Sequence, residues 1–316
     1  MFKIGTRKSE LALTQSRYVQ SLLKARGLDS TLVMIESQGD QNRTQPLYEI
    51  QSAGPGLFTK QLEDALLRKE VDLAVHSLKD LPTLQPPELM VAAIPVREVT
   101  HDVLLTLKGK DSTQGPLFLR AGLKVGTSSL RRQALIKSYR PDLTVAPLRG
   151  NVPTRVNAVL EEKVDAVVLA AAGLKRLGLD LSQLVVTPLS VTEFVPAPGQ
   201  GALGLEVRKD ADPRLLAVLA LIHDEMAARE TQVERRILRE LEGGCTLPLG
   251  VSCRRPSGGN AESEWRVISF LGVDSVTDGK RSWLGFERFD ISGAEPDTLA
   301  VRSVDHLKAF LQRCQA

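Results

Sequence analysis

The sequence predicts an α/β protein of two similar lobes with a duplicated βα pattern, followed by a smaller C-terminal α+β domain. Three observations lead there. Short apolar runs alternate with amphipathic helical stretches over the first two thirds of the chain, the pattern of βαβ units around a parallel sheet. A word order recurs: Lys124 to Ser129 (KVGTSS) echoes Lys3 to Lys8 (KIGTRK), Leu143 to Asn151 mirrors Thr31 to Asp40, and Lys163 to Leu169 mirrors Glu70 to His76. Three matches in one order point to duplication rather than chance. Beyond Leu216 the pattern changes to a long helical stretch and then a hairpin.

Each element follows from its local signal. Phe2 to Gly5 is a short apolar strand, and the next segment carries Leu11, Tyr18, Val19, Leu22 and Leu23 on one helical face, closed by Gly27 just past the C-terminus. Thr31 to Ile35 reads as a strand, Phe58 to Lys69 as an amphipathic helix and Val71 to Ser77 as a second buried strand. Two segments, Val96 to Asp102 and the Pro/Gly-rich Val195 to Gly201, cross between the lobes and imply a hinge and a cleft. Ligands of open α/β sheets lie beyond the carboxyl ends of the strands, so the strand-end loops are where chemistry is expected. From Leu216 one helix is expected to run to Leu241 and stop at Gly243-Gly244, with Trp265 to Val273 and Ser282 to Phe286 pairing around Thr277 to Lys280. The expected boundaries are residues 1–98 with 198–216 for the first lobe, 99–197 for the second, and 217–316 for the C-terminal domain.

Composition removes several function classes. At roughly 100–200 residues per domain, 316 residues exclude a single small module. A hydrophobic content of 42% with 24 Gly excludes a disordered or fibrous chain. Lys+Arg 41 against Asp+Glu 38 leaves +3, so a positive field must come from clustering of cations. With 8 Phe, 3 Tyr and 2 Trp there are few platforms for stacking single-stranded nucleic acid, and no nucleic-acid partner is expected. Cys245, Cys253 and Cys314 are an odd set without CxxC spacing, which argues against a disulfide framework and against a zinc site and favours a reducing compartment. No run approaches the ~18 apolar residues of a membrane span, and the expectation is a cytoplasmic protein.

Basic and hydroxyl residues gather at the strand-to-helix junctions: Arg7 and Ser9, then Thr127, Ser128, Ser129, Arg131 and Arg132, then Arg149 and Arg155. Helix N-termini and Arg forks both favour anions, so these loops should bind a multiply anionic ligand. Ser128 and Asn151, taken alone, fit helix caps. The adjacent Arg131 and Arg132 do not, because cations at a helix start oppose its dipole and need an anion or acidic neighbours in compensation. His76 to Asp80 (HSLKD) follows a strand, placing Lys79 and Asp80 in a loop. Asp80 is an acid among cations, suited to hold an N–H group or a cationic intermediate, or equally to pair structurally with an arginine. His76 fits a satisfied buried histidine. Cys245 lies in a small-residue turn (EGGCTLPLG), where Gly-Gly lets a bulky group approach the sulfur; by spacing alone an isolated cysteine is more often a buried small hydrophobe than a nucleophile.

Seven motifs stand in order: Arg7 to Leu13 (RKSELAL), Val75 to Asp80 (VHSLKD), Val125 to Gln133 (VGTSSLRRQ), Leu148 to Asn151 (LRGN), Ala171 to Gly178 (AAGLKRLG), Pro198 to Ala202 (PGQGA) and Glu242 to Cys245 (EGGC). With them the chain resembles the porphobilinogen deaminase, or hydroxymethylbilane synthase, family over nearly its whole length. The resemblance implies two periplasmic-binding-protein-like lobes and a third domain bearing the cofactor cysteine. It implies a transferase of tetrapyrrole (heme) biosynthesis, typically monomeric, that condenses four porphobilinogen molecules with loss of ammonia and releases linear hydroxymethylbilane. Cys245 would carry a dipyrromethane primer through a thioether, and Asp80 would be the main catalytic residue, stabilising the pyrrole N–H as charge develops. Lys79, Ser77, Thr127, Ser129, Arg131, Arg132 and Lys60 would hold the cofactor, and Arg7, Ser9, Gln15, Arg149, Arg155 and Arg176 the substrate. Every pyrrole brings an acetate and a propionate, which accounts for the many cations. Where the family usually has Lys before a flexible Gly-Leu-Phe loop, this chain reads Ala53-Gly54-Pro55-Gly56-Leu57-Phe58, so one cationic contact is missing and Pro55 stiffens the loop. The competing reading is a non-enzymatic two-lobed binder of small anions, which explains the lobes and the arginines but gives no role to Asp80 or to the EGGC turn.

Overall fold

The computed structural model describes residues 1–36, 59–112, 115–241, 247–255, 264–277 and 280–315. The chain divides into two units, residues 1–99, 175–178 and 199–229 forming the first and residues 100–174, 179–198 and 230–316 the second. In chain order the elements up to the second crossing are β1 (Phe2–Arg7), α1 (Glu10–Lys24), β2 (Ser30–Ile35), α2 (Lys60–Leu67), β3 (Leu73–Ser77), β4 (Leu89–Ala93), β5 (Asp102–Leu107), β6 (Lys124–Gly126), α3 (Leu130–Tyr139), β7 (Thr144–Ala146), α4 (Val152–Leu160), β8 (Ala166–Ala170), α5 (Ala171–Leu177) and β9 (Leu184–Pro188). They are followed by β10 (Leu203–Arg208), α6 (Pro213–Ile222), α7 (Glu225–Glu240), β11 (Leu249–Arg254), β12 (Trp265–Thr277), β13 (Lys280–Gly293) and α8 (Pro296–Gln315).

The duplication is visible in the sheets. The first unit has strand order β2-β1-β3-β10-β4 and the second β7-β6-β8-β5-β9, so position for position the echoed words occupy the same places. Both sheets are mixed, a correction to the expected parallel sheet. β1 pairs parallel with β2 and β3, and β6 with β7 and β8, but β10 is antiparallel to β3 and β4, and β5 to β8 and β9. The reason is connectivity: β5 and β10 each come directly after a crossing between units, without the helical crossover that enforces parallel pairing.

Helix starts follow the sequence signals. Ser9 Oγ accepts from the Ala12 N–H at 3.3 Å, and Asn151 Oδ1 accepts from the Thr154 N–H at 2.9 Å. The single helix expected from Leu216 to Leu241 is two. His223 is extended (φ −69, ψ 133), its Nδ1 accepts the Ile94 N–H at 3.1 Å, and Asp224 caps the next helix by accepting the Ala227 N–H at 2.7 Å. Leu215, Leu219 and Ile222 belong to the core of the first sheet, with Ile4, Leu73 and Leu205, and the first unit runs to Arg229.

The C-terminal strands form an antiparallel sheet β11-β12-β13, whose hairpin is longer than the expected segments. One set of its residues makes a core with Val233 and Ile237 of α7 and Leu299, Val304 and Leu307 of α8. Ile268 and Phe270 join instead the core of the second lobe, with Leu104, Val125, Leu135 and Ile136. Two glycines permit that packing. A Cβ on Gly272 would lie 2.7 Å from the Ala134 Cβ on α3, and one on Gly250 would lie 2.6 Å from the Val195 carbonyl oxygen. The Gly250→Ala protein is therefore expected to lose about 2 kcal/mol of stability, read as a fall of several degrees in the thermal midpoint.

Candidate functional site

In the first unit the site builds from the carboxyl end of β3. Ser77 closes the strand and Leu78–Asp80 turn into one tight 310 turn, which leaves Asp80 exposed and Lys79 half-buried. α1 starts beside it: Gln15 is 3% exposed, its Nε2 donates to Ser77 Oγ at 2.9 Å, and Ser77 Oγ donates back to Gln15 Oε1 at 3.2 Å. Arg7, Gln15, Thr59, His76, Ser77 and Asp80 line one small open hollow. His76 is buried and satisfied, as the sequence suggested, with Nε2 3.0 Å from Glu206 Oε2 of β10. On α2, burial pushes the Glu63 carboxyl up, against a Thr59 hydrogen bond that lowers it, with Glu206 raising it further. Ser9 Oγ caps α1 as an acceptor, which leaves its O–H to donate, and Lys60 is exposed at the start of α2. Arg176 Nη2 donates to the Gly201 carbonyl at 2.9 Å; burial pulls its guanidinium down and Glu98 opposes that.

The second unit holds the larger cationic group. Thr127 is buried and accepts the Ser129 N–H at 3.2 Å through Oγ1. Ser129 caps α3, accepting the Arg132 N–H at 3.5 Å, whereas Ser128 is not a cap: its Oγ donates to the Leu148 carbonyl at 3.0 Å and accepts the Leu148 N–H at 3.1 Å. That exchange ties the loop after β6 to the loop after β7, where Arg155 Nε donates to the Gly150 carbonyl at 2.9 Å. Gly150 has φ +115, a conformation that side chains avoid.

Arg131 and Arg132 are each 5% exposed. Their compensation is an acid that sequence reasoning missed. Asp102, fully buried at the start of β5, accepts from Arg131 Nη2 at 2.8 Å through Oδ2 and from Arg132 Nη2 at 2.7 Å through Oδ1. Arg131 Nη1 donates to the Val195 carbonyl and Arg132 Nη1 to the Val168 carbonyl, both at 2.8 Å. One carboxylate faces two guanidiniums, so one positive charge is left over. Among the described residues Arg131 Nε, Arg132 Nε and Arg149 Nη1 are buried without a hydrogen-bond partner. Buried unpaired donors are costly, and surplus charge with open N–H groups is what a carboxylate satisfies. The donor set therefore fits a polycarboxylate such as dipyrromethane. The signal for Asp102 was an acid heading an apolar strand run (DVLLTL), and for Glu206 an acid inside one (LGLEVR).

Cys245, with the rest of residues 242–246, and Pro55 lie outside the described residues. Cys253 is buried in the C-terminal core. Among the described residues no helix is long and apolar enough to cross a membrane.

Burial alone would push the Asp102 carboxyl up, but Arg131 and Arg132 outweigh it and hold it well below the usual carboxylate range. A carboxyl depressed in the fold stabilises above its unfolded value of about 4, and that contribution fades as pH falls below it. In urea unfolding between pH 6 and 3, Asp102→Asn should flatten the acid-side slope by up to about one proton.

The family model described as porphobilinogen deaminase, dipyromethane cofactor binding domain, matches residues 2–215. The porphobilinogen deaminase of Syntrophotalea carbinolica is 47% identical over 88% of this chain and 83% of its own length. Those of Syntrophobacter fumaroxidans (44%, over 89% of this chain and 86% of its own) and Campylobacter jejuni subsp. doylei (44%, over 87% and 85%) are similar. Among solved structures, an ABC transporter periplasmic substrate-binding protein from Coxiella burnetii aligns over 72% of this chain and 94% of its own with a TM-score of 0.42 at 15% identity. On the family match and the identities to these curated relatives, the chain belongs to the porphobilinogen deaminase family.

Proposed function

We propose that the chain is a transferase that condenses four porphobilinogen molecules, with loss of ammonia, onto a dipyrromethane primer on Cys245, and releases linear hydroxymethylbilane by hydrolysis. The observation that carries this is the buried cationic surplus of the second unit, whose open guanidinium donors suit a ligand bearing an acetate and a propionate on every ring. Bound, dipyrromethane supplies the nucleophilic pyrrole carbon from which the chain grows.

The protein's own residues do the rest. Arg131, Arg132, Thr127 and Ser129 hold cofactor carboxylates, a role also assigned to Lys79, Ser77 and Lys60. Arg7, Ser9, Gln15, Arg149, Arg155 and Arg176 hold those of the incoming substrate. Each charge-assisted contact contributes about 1.5–3 kcal/mol. Asp80, exposed at the end of β3 beside Lys79, accepts the pyrrole N–H of the substrate and stabilises positive charge as ammonia departs. Gln15 and Ser77, locked to each other, fix the neighbouring backbone so that Asp80 does not have to reorganise. The protein would act on small molecules in the cytoplasm as a monomer.

Two measurements test this. Intact mass of denatured protein, with peptide mapping and a pyrrole colour reaction, should show a covalent adduct on Cys245 and none in Cys245→Ser. Free Cys245 after incubation with porphobilinogen would return the protein to the class of anion binders. Asp80→Asn should keep the adduct and lose kcat by about 10²–10³-fold; unchanged turnover would remove Asp80 from the mechanism.

A further inference from the structure

Arg131 and Arg132 are engaged in twin fashion. Each spends Nη2 on one oxygen of Asp102 and Nη1 on a backbone carbonyl, Val195 for one and Val168 for the other, and each is left with an open Nε–H. A guanidinium is planar with five donors, so two anchors at its terminal nitrogens fix both its position and its plane. Asp102 is common to both anchors and 0% exposed. The anchoring carbonyls belong to different segments, Val168 in β8 and Val195 after β9, where the second crossing begins. Without a shared acid, two adjacent guanidiniums in the first turn of α3 would repel each other and the helix dipole in a buried place. With it, the group keeps one surplus positive charge and two oriented N–H donors before any ligand arrives.

We infer that Asp102 is a positioning residue for cofactor loading: it preforms the Arg131–Arg132 pair so that a ligand carboxylate meets fixed donors. It touches neither cofactor nor substrate in this role. The inference rests on the proposed function, in which the pair holds carboxylates of the dipyrromethane.

The test is the fraction of purified full-length protein that carries the covalent adduct by intact mass, after incubation with excess porphobilinogen. Asp102→Asn keeps the shape and removes the charge, and should load at least tenfold less than wild type. Leu104→Ala, a cavity in the same strand at a fully buried position, serves as the destabilised control and should load like wild type. That difference is one that a merely structural role for Asp102 would not produce. If Asp102→Asn does not fold, Asp102→Glu keeps the charge but moves the carboxylate by one methylene, and should fold and load partially. Arg132→Gln separates the two claims. Normal loading of Arg132→Gln would overturn the parent reading of the pair. Reduced loading of Arg132→Gln together with wild-type loading of folded Asp102→Asn, or of Asp102→Glu where Asp102→Asn does not fold, would overturn the role of Asp102 alone. Equal loss in Leu104→Ala and the Asp102 variants would overturn it too.

Discussion

The antiparallel strand that enters each sheet after a crossing is the constraint on which the two lobes depend. In the first sheet it is β10 and in the second β5, both in fourth position. Each strand carries a buried acid, and each acid holds a basic side chain that borders the candidate chemistry: Glu206 holds His76, just before Ser77 and Asp80, and Asp102 holds Arg131 and Arg132. A buried carboxylate is tolerated only with such partners. The strand direction therefore decides where the acid arrives, and the acid decides which basic groups can be buried beneath the strand-end loops. The two lobes solve this differently. Glu206 lies opposite Ala74 within β3, deep in the sheet, while Asp102 lies opposite Ala170 at the end of β8, where two arginines reach it.

Local signals were legible in the sequence and long-range ones were not. The recurring words gave the parallel halves of both sheets, and Ser9 and Asn151 are caps as their side chains suggest. β5 and β10 escaped because their partners lie far away in sequence, and pairing direction leaves no local trace. The break at His223 and Asp224 has the same origin: it is fixed by Ile94, more than a hundred residues earlier. For the site, residue types at strand ends pointed to the cations, but not to what they rest on. Arg131 and Arg132 demanded compensation on electrostatic grounds, and the compensating acid is 29 and 30 residues away on a strand that the pattern did not reveal.

Function and stability pull against each other in this arrangement. A second carboxylate beside Arg131 and Arg132 would neutralise the pair and strengthen the fold, yet it would leave no charge for a ligand. A protein that binds carboxylates must keep donors unsatisfied, and it confines them where the surrounding structure is overdetermined. Asp102, two backbone carbonyls and the Ser129 cap provide that surplus of constraint.

α3 shows the result. It is not amphipathic in the ordinary sense, since Arg131, Arg132, Ala134, Leu135 and Ile136 are all buried. The helix lies between the core of its own lobe and the C-terminal sheet, with Ala134 pressed against Gly272. In terms of hydrogen exchange, burial on both faces places its amides among those expected to exchange slowly. Among the described residues the helix start with two adjacent cations is thus also one whose backbone is expected to breathe slowly, so the arginines project from a rigid segment rather than from a loop.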